Sequence, residues 1–251
     1  MKVHALVPCA LILALAGCGE YSLYTEAKTS NTPEAYRTYL EKYPDGVNAE
    51  EARGLLDSLD WDIATDADSS AAYELYLTQH PEGSHAEEAS ANAASAALRE
   101  AEQVGDEAAL EAFVARYPEG ALADKARKSL ALMELVPQHL EIGELQLAEG
   151  ERGRWSLDAD VKNIGRENVT SARFAVGFLD DRGMVVVRKT QWLVVQEGEG
   201  IKADKELLKP LRRGQSRTLH YEFPRANAPD SWVADAEHVR LEVIELELAG
   251  K

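Results

Sequence analysis

The sequence predicts an α+β fold in two parts, an N-terminal array of α-helical repeats followed by an antiparallel β-sandwich. Three stretches of 18 residues, beginning at Ala35, Ala72 and Ala109, align without a gap at an offset of 37 residues. Such a period is typical of stacked helix pairs, none of which can bury its apolar face alone. After Pro137 the apolar residues alternate with a period of two, which indicates strands. We expect about six helices in residues 31–136 and a sandwich in residues 139–249.

A short apolar segment opens the chain. Lys2 precedes the apolar run 5–15, which is too short to span a membrane, and small residues then lead to Cys18. This order resembles a bacterial lipoprotein signal peptide with its lipobox. The resemblance implies removal of residues 1–17, a diacylglycerol on the thiol of Cys18 and a further acyl chain, with palmitate expected, on the new amino terminus. The alternative is an ordinary secretory signal in which Cys18 is incidental.

The implied lipid would attach the protein to a membrane, since two acyl chains are the usual requirement for durable anchoring. Residues 18–30 would then be a tether. Gly19 follows the cysteine, whereas the inner-membrane retention signal of lipoproteins is an aspartate there, so the resemblance implies the outer membrane of a bacterial cell envelope. With Cys9 removed and Cys18 lipidated, the two cysteines leave no thiol for a disulfide, a zinc site or catalysis.

Each repeat predicts the same two helices. The first begins after a capping residue, Thr32, Ser69 or Asp106, whose side-chain oxygen can accept from a free amide of the first turn. Apolar residues at spacings of three and four follow on one face, and a Pro-acid-Gly turn ends the helix. The second helix carries paired alanines, such as Ala49 and Ala52, which allow neighbouring helices to approach closely. The repeats therefore predict antiparallel helix pairs.

These motifs resemble the tetratricopeptide-type repeats of bacterial envelope lipoproteins. In that family a helix ending in Tyr-Pro-Asp/Glu-Gly is followed by a small residue, alanine, an acidic residue and alanine. Such repeats usually bind protein or peptide partners along the face formed by their first helices. The implied contacts are the exposed first-helix positions Arg37, Glu41, Glu74, Thr78, Glu111 and Arg116.

Alternating segments separated by turn residues predict the strands of the sandwich. We expect them at 139–147, 154–163, 171–179, 184–195, 216–223 and 238–248. Three runs, 161–163, 174–183 and 211–216, resemble an immunoglobulin-like envelope module of the FxLYD type, in which an aromatic strand reaches an aspartate-glycine hairpin. The family implies a sandwich and no known chemistry. The charged stretch 196–210 is either a contact loop or a solvated excursion.

Negative charge is concentrated in the repeats. Residues 20–138 carry a net charge of −15, whereas residues 139–251 carry −3. This balance disfavours nucleic acid and anionic surfaces and favours cationic partners. The alternative is that the acids only solvate the helical surface. We expect no nucleic-acid partner.

Residue patterns for catalysis or metal binding are weak. His80 stands where the other repeats have Tyr43 and Tyr117, and the proline-glycine break between His80 and His85 interrupts any helical metal spacing. Acidic pairs are expected by chance among 44 acidic residues, and the sequence has no nucleophile elbow or phosphate-binding glycine loop. We expect no catalytic residue, no metal and no cofactor beyond the covalent lipid on Cys18.

The sequence favours a non-catalytic, membrane-anchored lipoprotein that serves as an interaction scaffold for envelope proteins or peptides. A second interpretation is a structural spacer in which the β-sandwich, and not the repeat groove, makes the contacts. A third, an enzyme, would need a deep polar pocket with converging ionisable groups.

Overall fold

The computed structural model describes residues 10–150, 153–196 and 204–250, with side chains from residue 19 onward. Within these ranges seven α-helices precede seven β-strands, which confirms the predicted fold class. The helices are α1 (Ala10–Ser30), α2 (Pro33–Lys42), α3 (Ala49–Ala67), α4 (Ser70–Gln79), α5 (Ala86–Val104), α6 (Glu107–Arg116) and α7 (Ala121–His139). The strands are β1 (Leu140–Ile142), β2 (Gln146–Gly150), β3 (Arg154–Asn163), β4 (Val169–Leu179), β5 (Val185–Val194), β6 (Ser216–Pro224) and β7 (Val239–Leu248). None of the helices described is both long and apolar enough to cross a bilayer.

Helices α2 to α7 alternate between 10 and 19 residues, as expected for three repeated pairs. The predicted caps are confirmed, because the side chains of Thr32, Ser69 and Asp106 accept from the amide three residues later at 3.4, 3.3 and 2.8 Å. Each cap satisfies an amide that the first helical turn leaves free. In the first and third repeats, Arg53 and Arg127 also donate to the carbonyl of the turn proline nine residues earlier.

Residues 18–30, for which we predicted a tether, lie within α1. Tyr24 and Ala27 of this helix are buried in one apolar cluster with Tyr36 and Tyr39 of α2, and the alanines of α3 complete the cluster. The rings of Tyr24 and Tyr39 lie 5.4 Å apart. Apart from Cys18, whose side chain is outside the described part, this segment is therefore a packed element of the repeat array. The predicted signal peptide, residues 1–17, also falls outside the described side chains.

The long helix α7 continues beyond its predicted end. It passes through Pro137 and ends at His139, where the amide of Leu140 still bonds to the carbonyl of Val136. Proline has no amide hydrogen and therefore removes one helical hydrogen bond. Pro137 lies in the last turn of α7, so only a few helical hydrogen bonds follow it and the loss is small.

The sandwich consists of two antiparallel sheets. In one, β1 and β2 pair with the same edge of β3 and β6 pairs with its other edge; in the second, the order is β5-β4-β7. The predicted strand 139–147 is thus two strands, because three residues, 143–145, lie opposite two residues of β3, Ala159 and Asp160, and interrupt the pairing. The amide of Gly143 still bonds to the carbonyl of Asp160 at 2.7 Å. The fully buried Asn163 donates to the carbonyls of Glu167 and Leu211, both at 2.8 Å, and so fixes the turn after β3.

The chain divides into two compact units, residues 1–97 and residues 98–251. The second unit holds the end of α5, the helices α6 and α7, and the whole sandwich. Inside it, Arg240 of β7 donates to the carbonyl of Gln103 at 2.9 Å. The predicted domain limits, 31–136 and 139–249, divide the chain differently and stay predictions.

Candidate functional site

The predicted contact residues lie on the three short helices. Glu41, Thr78, Glu111 and Arg116 are exposed, whereas Arg37 and Glu74 are half-buried. The hydroxyl of Thr78 donates to the carbonyl of Glu74 within α4 at 2.9 Å. The guanidinium of Arg116 lies over the ring of Tyr117, 5.7 Å from its centroid. Thr78 and Arg116 are thus each tied to a neighbour within the same repeat.

Arg37 differs from the other five because it is part of a buried polar network. Its Nη2 donates to both carboxylate oxygens of Asp60 at 2.6 and 2.8 Å, and to Oε1 of Gln79 at 3.1 Å. Asp60 on α3 is only 7% exposed, so its charge needs a partner. Nε2 of His80 provides a second one at 2.8 Å. Arg37 thus connects α2 to α3 and α4.

Asp57 is the second buried carboxylate of this network and is 8% exposed. It accepts from the hydroxyl of Tyr76 at 2.5 Å, from the hydroxyl of Ser84 at 2.5 Å and from the amide of Ser84 at 2.9 Å. Burial acts to raise the pKa of Asp57, but the hydrogen bonds from Ser84 and Tyr76 outweigh it and lower the pKa below its usual value. Burial, together with the hydrogen bond to Asp57, raises the pKa of Tyr76 to about 12.

The bond between Tyr76 and Asp57 recurs one repeat earlier. Tyr39 and Glu20 occupy the positions 37 residues before them, and the Tyr39 hydroxyl donates to Glu20 at 2.9 Å. A Cβ on Gly46 would overlap both Glu20 and Tyr39, and a Cβ on Gly83 would meet Asp57 and Tyr76 at 2.7 and 2.6 Å. The turn glycine is needed in both repeats because the carboxylate lies directly against the backbone there.

The third repeat lacks this polar pair. Phe113 and Ala94 occupy the corresponding positions, so the donor and the acceptor are absent together. We call the pairs Tyr39–Glu20 and Tyr76–Asp57 the tyrosine–acid latches.

A second recurring feature marks the junction between repeats. Asn31 and Asp68 have positive φ angles of 47° and 40°, and their side chains accept from the hydroxyls of Tyr36 and Tyr73 at 3.3 and 3.2 Å. Gly105 takes the same place in the third repeat with a φ of 72°. This left-handed residue ends the long helix, and only Gly, Asn or Asp adopts it at low cost.

Asp57, Asp60 and the latches were not among the functional residues predicted from the sequence. Their signal was present in the 37-residue register, since Glu20 and Asp57 are acidic residues 19 positions before a tyrosine. Carboxylates on a helix are usually solvated, however, and burial of Asp57 becomes visible only in three dimensions.

The network around Asp57 and Asp60 is suited to holding helices together. The hydroxyl of Ser84 faces Asp57, and His80 is bonded to Asp60, so Ser84 and His80 are not arranged as nucleophile and base. The cleft beside it, about 350 Å³, is open and is lined by the turn 80–84 and by Arg53, Gly54 and Asp57. Among the residues with described positions, no group of three His, Cys, Asp or Glu side chains could hold a metal ion.

The sandwich carries a larger cleft of about 880 Å³ between β5, β6 and the segment 204–212. Arg217 lies in its wall and donates to the carbonyls of Leu193 and Lys209 at 2.8 and 2.9 Å. Burial lowers the pKa of Arg217. His220 also lines the cleft. Its hydrogen bond to Asp158, 2.6 Å long, raises the pKa of His220. The cleft has the volume of a ligand site, and its wall holds cationic side chains, Arg212 and Arg217, together with the acidic Asp204 and Glu206.

A smaller cavity of about 200 Å³ lies between the end of α5 and the outer face of β4, β5 and β7. Arg188 pairs there with Glu242 at 2.5 Å and with Glu102 at 3.9 Å. Burial raises the pKa of Glu242. These ion pairs and the bond from Arg240 to Gln103 join the sandwich to the last turn of α5.

No protein-family model matches this chain, and no curated protein matches it. One similar solved structure is that of the alkylpurine DNA glycosylase AlkC of Pseudomonas fluorescens, bound to DNA that contains an abasic-site analogue. The alignment covers 88% of this chain with 14% identity and a TM-score of 0.28. The chain spans about half the length of that protein, 53%. A likeness of this size supports no inference about activity.

The comparison corrects one prediction from the sequence. We expected no nucleic-acid partner because the repeats are acidic, yet the similar structure is that of a protein bound to DNA. We therefore do not retain the prediction that nucleic acid is excluded. At a TM-score of 0.28 the likeness is equally no ground for assigning DNA binding to this chain.

Proposed function

We propose that this protein is a non-catalytic, lipid-anchored scaffold of the bacterial cell envelope that binds a protein or peptide along the first helices of its repeats. The proposal is supported by a contrast between the packed and the exposed positions of the repeats. Positions that pack the repeats recur, whereas the exposed positions of α2, α4 and α6 differ from repeat to repeat. Position 41, for example, is Glu41, Thr78 or Ala115 in successive repeats. A surface that varies on a repeated frame is how helical-repeat proteins distinguish their partners.

The charge of this surface indicates the kind of partner. Glu41 and Glu111 are exposed on α2 and α6, and the repeat region as a whole carries the excess of acidic residues. A basic segment of an envelope protein would be attracted to it, and the attraction would weaken as salt is added. Arg37 is better placed to hold Asp60 than to contact such a partner.

The binding surface can be tested with paired substitutions. We expect Glu41→Ala with Glu111→Ala to reduce capture of the partner from envelope extract at low salt. Glu50→Ala with Glu87→Ala removes the same charge from exposed positions at the start of α3 and α5, and we expect it to leave capture unchanged. Equal capture by both double variants and the unchanged protein would remove the first-helix surface from the proposal.

The lipid anchor needs a separate test. The lipobox resemblance places the acyl chains on Cys18, so metabolic labelling with a palmitate analogue should label the unchanged protein. We expect Cys18→Ala to lose the label and to be released from the membrane fraction. Labelling that persists in Cys18→Ala would contradict the proposed anchor.

The sandwich cleft of about 880 Å³ supports a second candidate function, a spacer whose sandwich makes the contacts. Arg212 lines this cleft and is exposed, so Arg212→Ala can be compared with the helix variants in the same capture experiment. Loss of the partner from Arg212→Ala, with capture kept by the helix variants, would favour the spacer.

A further inference from the structure

Two exposed apolar side chains lie close to the position of Cys18. Tyr21 of α1 is 68% exposed. Val47, which follows the Pro-Asp-Gly turn of the first repeat, is 92% exposed. Tyr21 follows Cys18 by three residues, which is less than one helical turn. Single exposed apolar residues are common on soluble proteins, so their position has to decide whether they matter.

The Pro-Asp-Gly turn of the first repeat brings Val47 to the same part of α1, next to residues 19 and 20. The space beside Gly19 is closed by the hydroxyl of Tyr43, which a Cβ on Gly19 would meet at 3.1 Å. Gly46, next to Val47, lies against the carboxylate of Glu20. The turn 43–47 thus lies against residues 19 and 20, immediately after Cys18.

The other repeats do not carry these apolar residues. The positions equivalent to Tyr21 are Ser58 and Ser95, and those equivalent to Val47 are Ser84 and Ala121. Packing of the repeats therefore needs neither a tyrosine nor a valine there. Both appear only in the repeat that adjoins Cys18.

The segment between Cys18 and the first full repeat is held against the repeats by contacts along its length. Glu20 bonds to Tyr39 at 2.9 Å, Tyr24 and Ala27 are buried, and Lys28 pairs with Glu51 at 2.8 Å. A lipid on Cys18 would consequently hold residues 19–21 of α1 and the turn 43–47 at the bilayer surface.

We propose that Tyr21 and Val47 enter the headgroup region of the bilayer and set the orientation of the repeats on the membrane. This inference rests on the lipid anchor of the proposed function. Tyrosine is favoured at the boundary between water and lipid because its ring is apolar and its hydroxyl is polar. The acids Glu20 and Asp45 accompany a single base, Lys42, in the same region, which disfavours an anionic lipid surface, so the surface proposed is that of a zwitterionic bilayer.

A fluorescent label can test this contact on the full lipidated protein. The lipidated thiol of Cys18 is blocked, so Val47→Cys and Tyr21→Cys each provide one free thiol for an environment-sensitive dye. Ser95→Cys is the matched control, since Ser95 is exposed and is equivalent to Tyr21 two repeats further on. The labelled proteins are bound to phosphatidylcholine vesicles that contain lipids spin-labelled near the headgroup.

We expect the dye at positions 21 and 47 to shift its emission to shorter wavelength and to be quenched by the spin label, while the dye at position 95 stays unquenched. Vesicle binding with equal emission at all three positions would overturn the membrane contact and leave the anchor intact. Failure of the protein to bind vesicles at all would overturn the anchor and the contact together. Far-UV circular dichroism of each variant, expected to be unchanged, excludes misfolding as the cause.

Discussion

The hydroxyl of Tyr76 donates a 2.5 Å hydrogen bond to the buried carboxylate of Asp57, and the same latch joins Tyr39 to Glu20 one repeat earlier. The two latches connect a long helix to the short helix that follows it. Asp57 is the more buried of the two acids, and it also receives both bonds from Ser84. The packing of the first two repeats therefore depends on polar bonds as well as on apolar contacts.

The losses caused by removing the two partners of the Tyr76–Asp57 latch should be less than additive. Asp57→Ala leaves the hydroxyl of Tyr76 and the donors of Ser84 without their acceptor, so we expect the free energy of unfolding to fall by about 1–3 kcal/mol. Asp57→Ala with Tyr76→Phe recreates the Ala and Phe of the third repeat. We expect the double variant to be more stable than the sum of the two single changes predicts, by about 1 kcal/mol.

Chemical denaturation of the four proteins measures this coupling. Tyr39→Phe is a useful control because its acceptor, Glu20, is partly exposed and can be solvated, so its cost should be smaller than that of Tyr76→Phe. Strictly additive losses at Tyr76 and Asp57 would mean that the hydrogen bond does not couple the two residues.

The lowered pKa of Asp57 also leads to a prediction of how the stability of the protein depends on pH. Because the pKa of Asp57 is lowered in the folded state, its charge stabilises the fold above the unfolded pKa of about 3.9. That contribution is lost as the pH falls through the folded pKa. We expect the stability difference between the unchanged protein and Asp57→Asn to be largest near neutral pH and to shrink below about pH 4. A difference that grows on acidification would contradict the assigned direction of the shift.

The repeated frame of this fold could be predicted from the sequence because its causes are local. The caps Thr32, Ser69 and Asp106 and the Pro-acid-Gly turns act over a few residues, and all were found as expected. Whether α1 packs onto α2 depends on Tyr24 and Ala27, which lie before the first full repeat and looked like part of a linker. Comparison with Trp61 and Ala64, 37 residues later, would have identified α1 as the second helix of a partial repeat.

The candidate site was less predictable because burial decides what a charged residue does. Arg37 and Glu41 looked alike as exposed first-helix positions, yet Arg37 is held by Asp60, a residue 23 positions away. No short-range pattern specifies that distance. The split of the first predicted strand at residues 143–145 has a similar origin, since it depends on how this segment pairs with β3.

Arg37 should therefore behave as a residue that stabilises the fold. We expect Arg37→Ala to lower the free energy of unfolding by about 1–3 kcal/mol, because Asp60 loses its best partner while it stays buried. Glu41→Ala, on the same helix but exposed, should change it by less than about 0.5 kcal/mol. Thermal and chemical unfolding of the two variants give this comparison. Equal stabilities would show that the Arg37–Asp60 pair contributes nothing measurable.

Gly105 should tolerate substitution poorly for two separable reasons. Its φ of 72° is unfavourable for alanine, and a Cβ there would overlap Nη1 of Arg240. Gly120, with a φ of 91° and open space around it, carries only the first penalty. We expect Gly105→Ala to cost about 1–3 kcal/mol and more than Gly120→Ala.

The contribution of the overlap can be isolated in an Arg240→Ala background. There the side chain that would collide is gone, so Gly105→Ala should cost no more than Gly120→Ala does. An undiminished cost in that background would place the penalty in the backbone alone. Chemical denaturation of the single and double variants provides the values.

Site-specific photocrosslinking in living cells can show whether the variable first-helix positions of a lipid-anchored repeat array bind an envelope protein. A photoreactive residue is placed at 41, 78 or 111 on the short helices, at 50 or 87 on the long helices, and at 212 on the sandwich. We predict that one discrete crosslinked protein appears from positions 41, 78 and 111 and is absent from 50, 87 and 212. A crosslink confined to position 212, or spread equally over all six positions, would contradict the claim.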